Sequence, residues 1–299
     1  MNKEFIEKFK RTYPVDSVLS YLDDVSKLKV ICIGEIIFDE YQFGYALGKT
    51  GKFPIVAFKN EKLERYNGGV IATLNHLRDF CYPSYHSDGN AVVKKRYIQD
   101  GQKLFETYSM IDNKWANHTT NFENFDFVLV NDFGHGMMND ELREKVQDSA
   151  KYIALNTQSN AGNMGMNTIN KYENADYICI DHLELRLAAS NQFDDLEDII
   201  KDTFEDGITV AITLSKDGCI IYKDGEIHRI PAFTDKVVDA IGAGDAFLAI
   251  TSLLTYIDTP AEIIGFIGNC VGAMACQYQG NKKYITKNNL CSYIKLMYR

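Results

Sequence analysis

The chain has 299 residues, 45% apolar and 24% charged, the make-up of a globular protein with one large α/β core or two smaller ones. Its 32 Lys and Arg against 41 Asp and Glu leave a net charge of −9, which argues against a nucleic-acid-binding surface. Anionic small molecules are not excluded, because a few local cations or helix N-termini suffice to hold them.

The N-terminal stretch MNKEFIEKFKRTYP is charged and shows no secretory signal. The apolar runs Val30–Ile33, Phe127–Val130 and Ala246–Leu254 fall far short of the roughly 20 residues of a membrane span, so no membrane partner is expected. Residues 1–28 are expected to form a helical N-terminal extension, with Phe5, Phe9, Val18, Leu19 and Leu22 at helical spacing. One domain is expected over 29–299. From Lys29 the run KVICIGEIIFDEY begins a buried central strand, with Gly34 ending its apolar part. Similar runs recur at Phe125–Val130, Tyr152–Leu155, Tyr177–Ile180 and Thr209–Leu214. Helix-like segments lie between them, at GGVIATLNHLRDF, DELREKVQDSA and DLEDIIKDTFED. This alternation predicts an α/β fold with a mostly parallel sheet covered by helices on both faces.

Two early stretches break the rhythm. Phe53–Arg65 and Val92–Tyr108 alternate like exposed hairpins and suggest a small projecting β-lid, with segments at about 41–66 and 90–110. Alternation along the second puts Lys94 and Arg96 on one face and Lys95 on the other. After Gly218, CIIYKDGEIHRIP reads as a hairpin turning at Asp224-Gly225, followed by helices from about Gly242 and Ala261. Seven cysteines without CxxC pairs read as reduced thiols of a cytoplasmic protein. His118, His135, His182 and His228 lack metal-ligand spacing.

The stretch VVDAIGAGDAFLAITSLL, Val237–Leu254, carries the strongest chemical signal. Gly242, Ala243 and Gly244 are small residues where an apolar helix begins, so their N–H groups suit an anion. Asp245 in the first turn is either a general base beside a transferring phosphate or simple helix-start electrostatics. Read alone, GAGD leaves both open.

The segment Asp239-Ala240-Ile241-Gly242-Ala243-Gly244-Asp245 resembles the DTxGAGD box of the ribokinase-like (PfkB) carbohydrate and nucleoside kinases, with Ala240 where Thr is usual. The resemblance runs in order along the chain from about Lys29. GEIIFDEY resembles the family's first-strand box and implies that Asp39 binds substrate hydroxyls; Asn67-Gly68-Gly69 resembles its Gly-Gly box beside the sugar. Asp181-His182-Leu183-Glu184 resembles an NxxE box, with Asp181 in place of Asn, and implies that Glu184 holds Mg²⁺ through water. Thr213 to Gly218, including Ser215, resembles the turn bordering the nucleotide, and Asn269 matches the position beside adenine. The implied cofactors are ATP and Mg²⁺. The implied fold is a ribokinase-like sheet with the β-lid over the sugar.

Three features resemble the branch that phosphorylates heptose 7-phosphate, the kinase half of bifunctional ADP-heptose synthesis enzymes. They are GEIIFDEYQFG with the following Lys49, Thr50, Lys52 and Pro54, the strand VVKKRYIQDGQKLFETY, and VNDFGHGMM. His135 stands where that branch has Lys, and LNTQSNAGN replaces an Asp-Pro-Lys loop, so Asn156, His135 and Arg96 join the expected substrate contacts. No HxGH-type box of the other half is present. The implied chemistry is in-line transfer to a sugar or sugar-phosphate hydroxyl, with Asp245 as base and the amides of Ile241–Gly244 on the phosphate. A kinase for free sugars or nucleosides and a non-catalytic binding relative are the alternatives. Lid aromatics Phe53, Phe58, Tyr97 and Phe105 suggest a homodimer through the lids.

Overall fold

In the computed structural model, residues 3–110, 120–234 and 236–299 are described; His118 lies outside them. Two helices open the chain, α1 (Lys3–Thr12) and α2 (Val15–Asp24). Then follow β1 (Lys29–Gly34), β2 (Ile36–Lys49), β3 (Val56–Gly69), α3 (Val70–Leu77), β4 (Tyr82–His86), β5 (Ala91–Gln99) and β6 (Gln102–Met110). The middle of the chain gives β7 (Phe127–Asp132), α4 (Asp140–Ser149), β8 (Ile153–Thr157), β9 (Tyr177–Asp181), α5 (His182–Ala188) and α6 (Leu196–Thr203). It closes with β10 (Thr209–Thr213), β11 (Cys219–Lys223), β12 (Glu226–Ile230), α7 (Ala243–Tyr256), α8 (Ala261–Ala275) and α9 (Lys287–Met297).

The main sheet runs β12-β11-β10-β9-β8-β7-β1-β4. From β10 to β4 the strands are parallel, and β11 and β12 add an antiparallel hairpin at one edge. Each central strand is apolar on both faces because both are covered. Val30 and Cys32 of β1 and Phe127 and Leu129 of β7 face one core, built with α1, α2, α3 and α7 to α9. Ile31, Ile33, Val128 and Val130 face the other, under α4, α5 and α6. That is the period-2 rule applied to strands buried on both sides.

The N-terminal helices are not appended to this body. Ile6, Phe9, Val18, Leu22 and Val25 are buried in the first core, and Phe9 stacks on Phe266 of α8 with ring centroids 4.2 Å apart. The run from Lys29 to Tyr41 is two strands in two sheets, not one. The break falls at Glu35, whose carboxylate accepts the amides of Phe133 and His135 after β7, so the chain peels away from the main sheet there. β2 then pairs antiparallel with β3 and parallel with β5, giving a second sheet in the order β3-β2-β5-β6. Its strands extend the expected lid back to Ile36 and on to Gly69. β4, a short edge strand containing Pro83 and mostly polar residues, carries no strand pattern in sequence.

Candidate active site

A cavity of about 610 Å³ lies between the lid sheet and the C-terminal ends of the main strands, the edge where parallel α/β sheets place ligands. The lid supplies its roof by alternation. Asp39 of β2 stands in register with Lys94 of β5, and Tyr41 with Arg96, so these four share the inward face. Lys95 points the other way and pairs with Glu40 at 3.0 Å. Arg96 is held twice, to Asp39 at 2.6 Å and to Glu106 of β6 at 3.0 Å. Lys94 lies over the rings of Tyr108 and Phe133, and burial pulls its pKa below the lysine range. Gly68 does not line the cavity; it backs the site, since a Cβ there would fall 2.4 Å from Asp39 Oδ2. Its neighbour Gly69 does reach the wall.

The floor is the start of α7. Gly242 caps the helix at φ 83°, and a Cβ on it would come within 1.9 Å of Asn281 Oδ1, so only glycine fits. No side chain caps this helix end. Of the four amides expected on the phosphate, two are committed within the loop: Ile241 N–H donates to Asp239 Oδ1 at 3.2 Å and Ala243 N–H to Ala240 O at 3.2 Å. Gly242 and Gly244 remain for an anion, and the space beside Gly244 is open. Asp245 projects into the same space. Burial raises its pKa to about 7, the negative charge of Asp39 adds to the rise, and Lys94 opposes it.

One tie joins floor and roof. Asp239, buried just before the glycines, accepts from Tyr41 Oη at 2.8 Å, from Lys103 Nζ of β6 at 2.8 Å and from the Gly280 amide at 3.1 Å. Neither Tyr41 nor Lys103 was singled out by sequence, because no local pattern marks a contact across so many residues.

The remaining expected residues divide. Asp181, Glu184, Thr213, Ser215, Gly218 and Asn269 all line the far half of the cavity. Asp181 and Glu184 form a capping box on α5, Asp181 accepting from the amides of Leu183 and Glu184 while Glu184 accepts from that of Asp181. Burial, then the charge of Asp181, pushes the Glu184 carboxyl above its usual range. Asn269 spends its amide nitrogen on the carbonyls of Ile230 and Pro231, fixing the exit of the β12 hairpin. Asn156 is on the wall, its amide turned to Cys179 O at 2.7 Å. In the Asn-rich loop that follows, Asn160, Asn163 and Asn167 hold backbone carbonyls of Phe133, Gln158 and Asp132, so they brace loops and do not present their amide nitrogens to a ligand.

His135, expected at the substrate, stands behind the wall. Its amide is bound by Glu35 and its ring is packed 6.4 Å from that of Tyr108. Burial, then the charge of Lys94, lowers its pKa to about 4, so the ring is neutral. It lies outside the cavity lining.

The family model described as "pfkB family carbohydrate kinase" matches residues 92–287, more than half of the chain. The chain belongs to that family. This kinase is similar to the bifunctional protein HldE of Helicobacter hepaticus, 31% identical over 136 residues, covering 42% of this chain and 27% of the relative. It is 21% identical to HldE of Nitratiruptor over 268 residues, or 75% of this chain and 56% of the relative. It thus spans between about a quarter and just over half of these curated relatives. Its fold matches Arabidopsis thaliana ribokinase complexed with ribose and ATP, at TM-score 0.65, 13% identity and coverage of 90% and 99% of the two chains. It also matches a Burkholderia thailandensis nucleoside kinase in complex with inosine, at TM-score 0.64, 16% identity and coverage of 90% and 98%.

ATP with Mg²⁺ is the cofactor pair that the family resemblance implies, and the Arabidopsis ribokinase of the same fold is complexed with ATP. The residues present fit that pair. The uncapped start of α7 offers amides to phosphate oxygens, and among the described residues no cluster of three or more His, Cys, Asp or Glu would hold a metal alone. A Mg²⁺ ion here would draw its ligands mainly from phosphate and water, and Glu184, whose two carboxylate oxygens accept the Ser159 and Asp181 amides, would stand by its water shell.

Proposed function

We propose that this kinase phosphorylates a hydroxyl of a sugar phosphate, a heptose 7-phosphate-like acceptor, with Asp245 as general base. The observation that carries the reading is the Asp245 carboxyl, set in the first turn of α7 between the open amides of the floor and the charged roof, its pKa raised to about 7. The similarity of part of the chain to HldE supports the choice of acceptor branch.

In this mechanism the acceptor lies at the lid end, its hydroxyls against Asp39, which Arg96 holds in place. The nucleotide lies toward Thr213, Ser215, Gly218 and Asn269. An Asp245 oxygen takes the proton of the acceptor hydroxyl as the hydroxyl oxygen attacks the terminal phosphorus; the new bond from acceptor oxygen to phosphorus forms, the bond from phosphorus to the bridging oxygen breaks, and ADP leaves. The Gly242 and Gly244 amides stabilise charge on the transferring group. Mg²⁺ supplies charge neutralisation on the phosphates when bound. The lid keeps water from competing as acceptor.

The test is ADP release from Mg-ATP with heptose 7-phosphates, hexose phosphates, free sugars and nucleosides. Asp245→Asn should lower the rate by about 100-fold or more with folding intact, the scale of a lost general base. Retained turnover in that variant would reject the assignment. The reading also includes a cytoplasmic enzyme, where ATP is abundant, and a homodimer through the outer lid faces, whose oligomeric state sedimentation measures.

A further inference from the structure

Each oxygen of Asp239 joins one donor of the lid to one amide of the floor. Oδ1 accepts from Lys103 Nζ of β6 at 2.8 Å and from the Ile241 amide at 3.2 Å. Oδ2 accepts from Tyr41 Oη of β2 at 2.8 Å and from the Gly280 amide, in the turn after α8, at 3.1 Å. Burial works to raise the pKa of Asp239, but the hydrogen bonds from Lys103 and Tyr41 hold it below the usual carboxylate range, so it is an anion. Among the described residues Lys103 is its cation within ion-pair distance. The Lys103 side chain is 43% exposed and lies outside the cavity lining. A lysine so open to water adds little stability through an ion pair, and it is placed to touch neither acceptor nor nucleotide.

We propose that Lys103 is a positioning residue for phosphoryl transfer, acting through Asp239 to set the loop of Ile241 to Gly244 when the lid lies over the cavity. This inference rests on the kinase reading above, in which the Gly242 and Gly244 amides hold the transferring group. Ile241 immediately precedes Gly242, so a displacement of Asp239 Oδ1 carries the Gly242 amide with it. The other side of the loop has the same reference, because Gly242 packs against Asn281, the neighbour of Gly280. Lys103 belongs to the hairpin whose other strand, β5, brings Lys94 and Arg96 to the cavity, and it stands in register with Ile98. The position of the acceptor-facing strand is thereby relayed to the phosphate-facing loop. With the lid raised, each Asp239 oxygen loses one of its two donors and the carboxylate loses its cation. Bound ATP then faces a loop not fixed for transfer, and water gains no productive geometry.

The experiment uses the full chain as wild type, Lys103→Met, Lys103→Arg, Asp239→Asn and the double variant Lys103→Met with Asp239→Asn. The first readout is kcat and KM for ADP release from Mg-ATP with a heptose 7-phosphate. Lys103→Met should lower kcat by about 10- to 100-fold, the scale of a misplaced reacting group, with KM for the acceptor changed by less than about twofold. Lys103→Arg should restore most of the rate. In the Asp239→Asn background Lys103→Met should cost nothing further, since the lysine acts only through that carboxylate. The second readout is amide hydrogen exchange without ligands. Residues 238–244 should exchange faster in Lys103→Met, while β1 and β7 keep their protection. Melting curves and ATP binding establish that the variants fold.

Losses that multiply in the double variant would overturn the proposal, as would a lowered melting temperature with kcat unchanged, the mark of a merely structural tie. A loss confined to the acceptor KM would also overturn it and place Lys103 on the substrate. Should the heptose 7-phosphate not turn over, that acceptor reading fails, and exchange still decides: faster exchange confined to residues 238–244 supports the relay, and unchanged exchange overturns it.

Discussion

Asp245 is asked to be ionised when the acceptor arrives and yet is placed where ionisation is disfavoured. Its removal from water and the negative charge of Asp39 raise the pKa, Lys94 lowers it, and the balance falls at about 7. A base with that pKa can take a proton near neutrality and is not so weak that the transfer stalls. The sign follows directly: the active form is the deprotonated one, so activity is lost as pH falls through 7. We expect kcat/KM for the acceptor to fall about tenfold per unit below that point and to level off above it, in initial rates from pH 5.5 to 8.5 under saturating Mg-ATP. A profile flat down to pH 5.5 would show that no such group governs the step. The neighbouring glycine has no freedom to vary, since Gly242 combines a left-handed backbone with a 1.9 Å approach of its absent Cβ to Asn281.

At the scale of elements, helix starts do much of the positioning. α7 leaves its N-terminus uncapped toward the cavity, whereas α5 is closed by the Asp181–Glu184 box. Asp181 has two effects, capping α5 and adding negative charge beside Glu184. Asp181→Asn keeps an oxygen for the cap and removes the charge, so the variant should melt within about 1 kcal/mol of wild type. Its KM for ATP should fall several-fold, as a like charge leaves the phosphate site; an unchanged KM would mean that Asp181 is not felt there. Most elements were legible because hydrophobic periodicity is local: the paired faces of β1 and β7, the α7 and α8 runs and the Asp224-Gly225 turn all announce themselves. The alternation of Lys94, Lys95 and Arg96 was readable in the same way. What sequence could not give was partnership. That Arg96 would be consumed by Asp39 and Glu106, that Asp239 would tie α7 to Tyr41 and Lys103, and that the Asn-rich loop would brace carbonyls all depend on contacts between distant segments. β4 and the parting of β1 from β2 at Glu35 were hidden for the same reason.

For the whole molecule, the outer face of the lid carries exposed apolar side chains that water serves poorly. Tyr97 and Phe105 stack with centroids 4.3 Å apart, Phe58 meets Tyr97 edge-on, and Phe53, Leu47 and Leu63 are exposed nearby. Two lids packed through this face would bury the patch that a monomer exposes. Wild type should therefore sediment as a dimer at micromolar concentration, and Phe105→Glu, a residue on the outer face, should sediment as a monomer with its fold intact. A monomeric wild type would rule out the pairing. The same sheet thus has two faces separated by a single residue step: Ile37 and Asp39 of β2 and Lys94 and Arg96 of β5 line the cavity, and Glu40 and Lys95 between them face the other way. Over evolutionary time that arrangement would let a lineage change what the cavity accepts by drift at alternate codons, leaving the residues in between, and the outer face they form, untouched.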